Sequence, residues 1–252
     1  MIEKNAVVKS VAEIQDDIFI LKVESERIAA EAKPGQFCNI KVSDSVAPLL
    51  RRPFSICDIE ENIISFQFNL VGEGTKILSK KKQGDVLNIM GPLGNGFNYD
   101  GEYKDAIIVA GGIGAAPFPF LLNKINSVKN VTTFIGGRTK NDLIDYKLKN
   151  VMQSTDDGSM GFHGNVVQLL ESEISKFDIN TTKIFACGPN PMLKALSKFT
   201  IKNGFECEIS TESVMACGFG ICQGCNIEGV NSERFLLVCK DGPVFNAEDV
   251  RL

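Results

Sequence analysis

The chain has 252 residues, 44% of them hydrophobic and 23% charged, which is enough to bury one or two cores and too apolar for intrinsic disorder. Its formal net charge of −4 and the lack of a basic stripe exclude an electrostatic footprint for nucleic acid. A lone His163 and the absence of Trp leave little material for a multi-histidine metal site or a His-based triad.

The opening Met1-Ile2-Glu3-Lys4-Asn5 mixes charges and leads into no apolar run, so no secretory leader is expected. Over the first hundred residues the pattern is that of β-structure. Ile64, Phe66, Phe68 and Leu70 alternate with Ser65, Gln67 and Asn69, the period of a half-buried strand. Turn signals recur at Lys33-Pro34-Gly35, Gln83-Gly84-Asp85 and Gly91 to Gly96, as in an antiparallel barrel or sandwich. Lys80-Lys81-Lys82 reads as a solvated loop or helix end.

After Asp100 the rhythm changes. Ala106 to Ala110 is a short apolar run suited to a buried parallel strand, followed by a glycine turn, a helical stretch from Phe118 to Val128 and a second strand, Val131 to Ile135. Lys183 to Cys187 leads through Gly188-Pro189 into a candidate helix, Pro191 to Lys202. This alternation predicts an α/β layer on a parallel sheet. The longest uncharged apolar stretch, Ala106 to Leu122, is short for a membrane span and broken by glycines and prolines. A soluble cytoplasmic protein without a membrane segment is the expectation. From Cys207 onward the chain is rich in cysteine and glycine and too short for a core-driven domain.

Cys217, Cys222, Cys225 and Cys239 give C-x4-C-x2-C-x13-C. The first three match the C-x4-C-x2-C spacing that holds a [2Fe–2S] cluster by thiolates, and Gly218, Gly220 and Gly224 permit the tight loop. A structural zinc site built from the same cysteines is the rival, but such sites use two short knuckles and this stretch has one. Disulfides suit neither the length of the chain nor a reducing compartment. Cys38, Cys57 and Cys207 read as small buried hydrophobes. Cys187 ends a strand just before Gly188-Pro189, where α/β sheets face their ligands, so a chemical role for it stays open.

Gly111-Gly112-Ile113-Gly114-Ala115-Ala116-Pro117 joins a strand to a helix, and glycines there admit a pyrophosphate close to a helix N-terminus. A plain βα turn is the alternative. Arg51-Arg52-Pro53-Phe54-Ser55 and Gly72-Glu73-Gly74-Thr75 add groups suited to a diphosphate, though an Arg pair before Pro also occurs in surface turns.

In this order, Arg-Pro-Phe-Ser, Gly-x-Gly-Thr, Gly-Gly-Ile-Gly-x-x-Pro, Cys-Gly-Pro and the four-cysteine tail, the chain resembles the ferredoxin–NAD(P) reductase superfamily. More narrowly, the chain looks like the electron-transfer subunits of class 1B dihydroorotate dehydrogenases. Leu49 to Ser55, Gly91 to Gly96, Met215 to Gly218 and Asp241-Gly242-Pro243-Val244-Phe245 carry that narrower likeness. The resemblance implies an α+β multidomain chain: an FAD-binding antiparallel β-barrel (1–100), a Rossmann-like NAD-binding α/β domain (101–206) and a C-terminal [2Fe–2S] module (207–252). It implies that Arg52, beside Pro53 and Phe54, holds the FAD diphosphate and that Ser55 hydrogen-bonds near flavin N5. Gln67, Phe68 and Asn69 would line the flavin, and Gly74 and Thr75 would bind phosphate or ribityl. Gly111, Gly112, Gly114, Cys187, Gly188 and Pro189 would face the nicotinamide nucleotide, and the four cysteines would ligate the cluster. It implies a partner too, an FMN-containing dihydroorotate dehydrogenase subunit in pyrimidine biosynthesis, two copies of each forming a heterotetramer. The homologous subunits of NADH-dependent ferredoxin–NADP oxidoreductases and sulfide dehydrogenases share these motifs. Arg138, in Gly136-Gly137-Arg138, leaves NAD against NADP open. No catalytic acid–base residue is expected, since the cofactors carry the chemistry.

Overall fold

The structure is a computed structural model and describes residues 2–125, 129–230 and 235–252. Six strands, β1 (Ile2–Gln15), β2 (Ile18–Glu24), β3 (Phe37–Lys41), β4 (Arg52–Glu60), β5 (Ile63–Asn69) and β6 (Val86–Leu93), form a closed barrel in the order β1-β2-β5-β4-β3-β6. Neighbouring strands run antiparallel, and tight turns place Asp17 and Glu61 in the left-handed region between β1–β2 and β4–β5. Closure removes free strand edges. Alternate residues fill the interior, among them Cys38 and Ile40 from β3, Ile56 from β4, and Ile64, Phe66 and Phe68 from β5. Helices α1 (Glu26–Glu31) and α2 (Glu73–Ser79) bridge strands, and Lys80 to Lys82 follow the end of α2.

The second half is a seven-stranded sheet. β7 (Asp105–Gly111), β8 (Asn130–Gly137), β9 (Val151–Thr155), β10 (Phe162–His163), β11 (Thr182–Cys187) and β12 (Glu206–Ser210) lie parallel in the order β10-β9-β8-β7-β11-β12. The unbroken apolar run of β7 reflects burial on both faces. Ile107 and Val109 pack with α4 (Val166–Glu173) and α5 (Asn190–Asn203), while Ala106, Ile108 and Ala110 pack with α3 (Phe118–Ile125). The rest of the helix expected to reach Val128 lies outside the described residues. Asn165 caps α4 by accepting from the Val167 and Gln168 amides, and Gly204, with φ of 74°, ends α5.

The chain then forms β13 (Asn226–Gly229), β14 (Leu236–Leu237), β15 (Val244–Asn246) and β16 (Val250–Arg251). β14-β13-β16 make a small sheet, but β15 returns to pair antiparallel with β12 and completes the large one. The stretch 207–252 therefore begins inside a strand of the α/β sheet and is anchored to it. Among the described residues no helix is long and apolar enough to cross a membrane.

One sequence expectation changes. β5 is buried on both faces, not one: Ser65 is 2% and Gln67 3% exposed. Its polar face turns toward the α/β half and a cleft instead of solvent. Phe120 of α3 joins the barrel core. The fully buried Asp58 accepts from Asn123 Nδ2 (2.7 Å) and Lys147 Nζ (2.6 Å), both in the α/β half, and Lys147 also pairs with Glu60. A buried carboxylate needs such partners, and here they bind the two halves across their seam.

Candidate functional site

Two clefts open where the parallel strands end against the barrel. The first, of about 300 Å³, is walled on the barrel side by Pro53, Phe54, Ser55, Gln67, Phe68 and Asn69, with Thr75 at the start of α2. Opposite stand Ile113, Cys187 and the segment Ser210-Thr211-Glu212-Ser213. Phe68 lies 5.6 Å from Phe54, ring centre to ring centre, making one side an aromatic wall. Two buried polar atoms in that wall, Gln67 Nε2 and Asn69 Oδ1, have no hydrogen-bond partner. Orphaned buried polar groups are costly, and an unsatisfied donor beside an unsatisfied acceptor suits the edge of a flat heteroaromatic ring with its own N–H and C=O groups.

The second cleft, of about 820 Å³, lies over the C-terminal ends of β7, β8 and β11, within the usual size of a small-molecule site. Gly111, Gly112, Gly114, Gly188 and Pro189 line it, with Arg138, Asp142 and Asp156 at the β8–β9 end. Gly114 shows why a glycine stands there. A Cβ at that position would lie 2.3 Å from the Cys187 carbonyl oxygen and 2.7 Å from Gly188 Cα. The expected turn and the Cys-Gly-Pro turn are thus pressed backbone to backbone. Asn69, Ile113 and Glu212 line both clefts, so whatever fills one meets whatever fills the other.

Arg52 and Gly74 line neither cleft; they pack on each other, a Gly74 Cβ falling 3.1 Å from Arg52 Nε. Arg52 donates to the Leu50 carbonyl at 2.7 Å and lies beside the first turn of α2, next to the mouth at Thr75. Arg51, by contrast, is absorbed by the barrel through the Asn39 and Asn88 carbonyls and the Asn88 side chain. The Thr75 hydroxyl accepts from the Val71 and Gly72 amides and donates to the Gly72 carbonyl, so it shapes its own loop. Cys187 faces the first cleft, but burial pushes its thiol up to about 12, which keeps it protonated and unreactive.

The four cysteines come together in pairs. The Cys222 amide donates to Cys217 Sγ, and the Cys239 amide to Cys225 Sγ, each at 3.4 Å. Burial opposes ionisation of Cys217, but the Cys222, Phe219 and Ile221 amides draw its thiol down to about 6. Burial and the neighbouring Cys225 thiol push Cys239 up to about 12. Among the described residues no three His, Cys, Asp or Glu side chains gather as ligands of a single metal ion. Two cysteine pairs suit a two-iron cluster, in which each iron takes two thiolates. Cys222 is exposed, and the loop's Val214, Phe219 and Ile221 are exposed apolar side chains.

The family model for the iron-sulfur cluster binding domain of dihydroorotate dehydrogenase B matches residues 212–251. The electron transfer subunit of dihydroorotate dehydrogenase B (NAD(+)) from Caldanaerobacter subterraneus subsp. tengcongensis is 41% identical over 221 residues, 86% of each chain. That from Fusobacterium nucleatum is 34% identical over 99% of this chain and 98% of its own. The chain belongs to this family of electron transfer subunits. Family membership accounts for the order of barrel, α/β sheet and cysteine tail. A solved structure of an NADH-dependent reduced ferredoxin-NADP oxidoreductase, described for flavin-based electron bifurcation, superposes with a TM-score of 0.85 at 28% identity, covering 99% of this chain and 90% of that one.

Sequence reasoning missed Phe37, Met215 and the Ser210 to Ser213 segment, all in the first cleft. The segment follows β12, and the rule that ligands sit beyond the carboxyl ends of parallel strands points to it once β12 is placed in the sheet. Burial pushes the Glu212 carboxyl above the ordinary value of 4.5. The folded state therefore favours the neutral form; the stabilisation is complete below the unfolded value and is lost as pH rises through the folded one. We expect Glu212→Gln to match the parent's melting temperature below pH 4.5 and to exceed it at neutral pH, as thermal melts across that range would show. A constant difference at all pH values would contradict the assignment.

Proposed function

We propose that the chain carries electrons from a dihydroorotate-oxidising partner subunit to NAD+, with FAD and a [2Fe–2S] cluster as its carriers. The observation that bears the most weight is the shared wall. Asn69, Ile113 and Glu212 border both clefts, and Met215 lines the first cleft two residues before Cys217. This shared lining supports a nucleotide site, a flavin site and a cluster site that follow one another. When bound, a flavin exchanges electron pairs with a nicotinamide and single electrons with an iron–sulfur cluster, which is why it stands between them.

The chain's own residues bind and orient. Residues 1–100 hold FAD: Gln67 and Asn69 meet the polar edge of the ring, Phe54, Ser55 and Phe68 wall it, and Arg52 with Gly74 and Thr75 takes the diphosphate end. Residues 101–206 hold NAD, Gly111 to Gly114 and Cys187 to Pro189 letting its backbone approach closely and excluding water. Residues 207–252 hold the cluster through Cys217, Cys222, Cys225 and Cys239, and the exposed apolar rim of that loop is where the partner docks. The partner carries FMN, two copies of each subunit assemble, and the complex works in the cytoplasm.

The isolated chain tests this division of labour. Purified anaerobically, it should contain iron, acid-labile sulfide and FAD, and reduce dyes with NADH while leaving dihydroorotate untouched. Zinc in place of iron, or dihydroorotate oxidation by this chain alone, would overturn the assignment.

A further inference from the structure

Asn39 is a polar residue in the middle of the apolar strand β3, and it is fully buried. Its neighbours Cys38 and Ile40 point into the barrel core, so alternation sends Asn39 to the outer face together with Phe37, which lines the first cleft. Covering that face is the cysteine loop. Asn39 Nδ2 donates to the Cys217 carbonyl at 3.3 Å, across 178 residues of sequence. Gly218, with φ of 79°, is pressed onto the same amide: a Cβ there would lie 2.2 Å from Nδ2. Asn39 Oδ1 has no partner. Barrel packing alone does not explain this residue, because an apolar side chain would fill the site without leaving a buried acceptor unsatisfied.

The strand register ties the same residue to the cleft. Asn39 stands opposite Pro53 of β4, a wall residue of the first cleft, while Met215 reaches that cleft from just before Cys217. One amide therefore connects the wall of the flavin cleft to the peptide of the first cysteine. We propose that Asn39 is a positioning residue that clamps the Cys217 loop to the barrel and thereby sets the geometry and potential of the cluster relative to the flavin. This rests on the reading of the four cysteines as a [2Fe–2S] site. Hydrogen bonds and dipoles around the ligating sulfurs tune such potentials, and electron transfer falls steeply with any widening of the gap between carriers.

The test uses the full chain, with Asn39→Ala and Asn39→Asp, read by electron paramagnetic resonance of the reduced cluster, by redox titration and by stopped-flow reduction with NADH. Iron and FAD contents and the rate of flavin reduction should match the parent. Asn39→Ala should alter the resonance spectrum and slow reduction of the cluster about tenfold. Asn39→Asp puts a carboxyl in a fully buried site without a cationic partner, where it stays protonated and can still donate to the Cys217 carbonyl, so it should keep the parental spectrum and rate of cluster reduction. Gly218→Ala strikes the same contact from the loop side, and the part of its effect that comes from meeting the Asn39 amide should shrink in an Asn39→Ala background, leaving the strain of an alanine at φ 79°.

Unchanged spectrum, potential and cluster reduction in Asn39→Ala would overturn the proposal. If an Asn39 variant loses iron and FAD together, as a misfolded barrel would, Gly218→Ala decides, and a parental spectrum and potential there overturn it equally. A parent protein without iron would refute the cluster reading itself, a result visible before any variant is made.

Discussion

Cys222→Ser is expected to abolish partner-linked turnover, by at least a hundredfold, while NADH oxidation by two-electron dyes continues near the parental rate. Cys222 is the exposed member of the Cys217–Cys222 pair. It follows Met215, which reaches the first cleft, by seven residues and does not itself line that cleft. Exchanging its sulfur for a harder oxygen weakens one ligand of the cluster without touching the walls of either cleft. The measurement is a pair of assays on one preparation, partner-linked NAD+ reduction and NADH-dependent dye reduction, with flavin content as the control. Loss of both activities with FAD still bound would contradict the proposed order of carriers.

The second large effect is expected at Gly114. A methyl group there meets the Cys187 carbonyl oxygen at 2.3 Å, its carbon at 2.6 Å and Gly188 Cα at 2.7 Å. All three are backbone atoms that no rotamer change can move. Overpacking of this kind typically costs about 1–3 kcal/mol, and here relief requires the 111–117 turn to lift away from the 187–189 turn. Gly114→Ala should therefore raise the KM for NADH at least tenfold and lower the melting temperature, with FAD retained because the barrel walls of the first cleft are untouched. Steady-state kinetics with NADH and a dye, alongside a thermal melt, check both. An unchanged KM would mean that the nucleotide does not lie over these turns.

Much of this architecture was legible in the sequence because its signals are local. The apolar run at Ala106–Ala110 is buried on both faces, and it could be read as a buried parallel strand without any knowledge of its neighbours. The Cys217, Cys222, Cys225 and Cys239 spacing likewise announces a compact ligand loop. What stayed hidden depends on which segment covers which. Alternation along β5 separates its two faces but does not say that Ser65 and Gln67 face a cleft and the α/β half instead of water. Nothing in Val244–Asn246 tells that β15 returns to the edge of the large sheet. Glu212 and Met215 enter the site only because that return, and the anchoring of β12, bring the 210–215 segment against the barrel. The two arginines of Arg51-Arg52 look alike in sequence. Only the fold separates them, tying Arg51 to carbonyls at β3 and β6 and leaving Arg52 beside α2.

The most direct test is to purify the chain anaerobically from its native source, with whatever subunit accompanies it, and to measure NAD+ reduction driven by dihydroorotate. Turnover, with orotate and NADH formed in equal amounts, is the result predicted for an electron-transfer subunit that delivers its partner's electrons to NAD+. No turnover, from a preparation still holding FAD and iron together with its accompanying subunit, would contradict it.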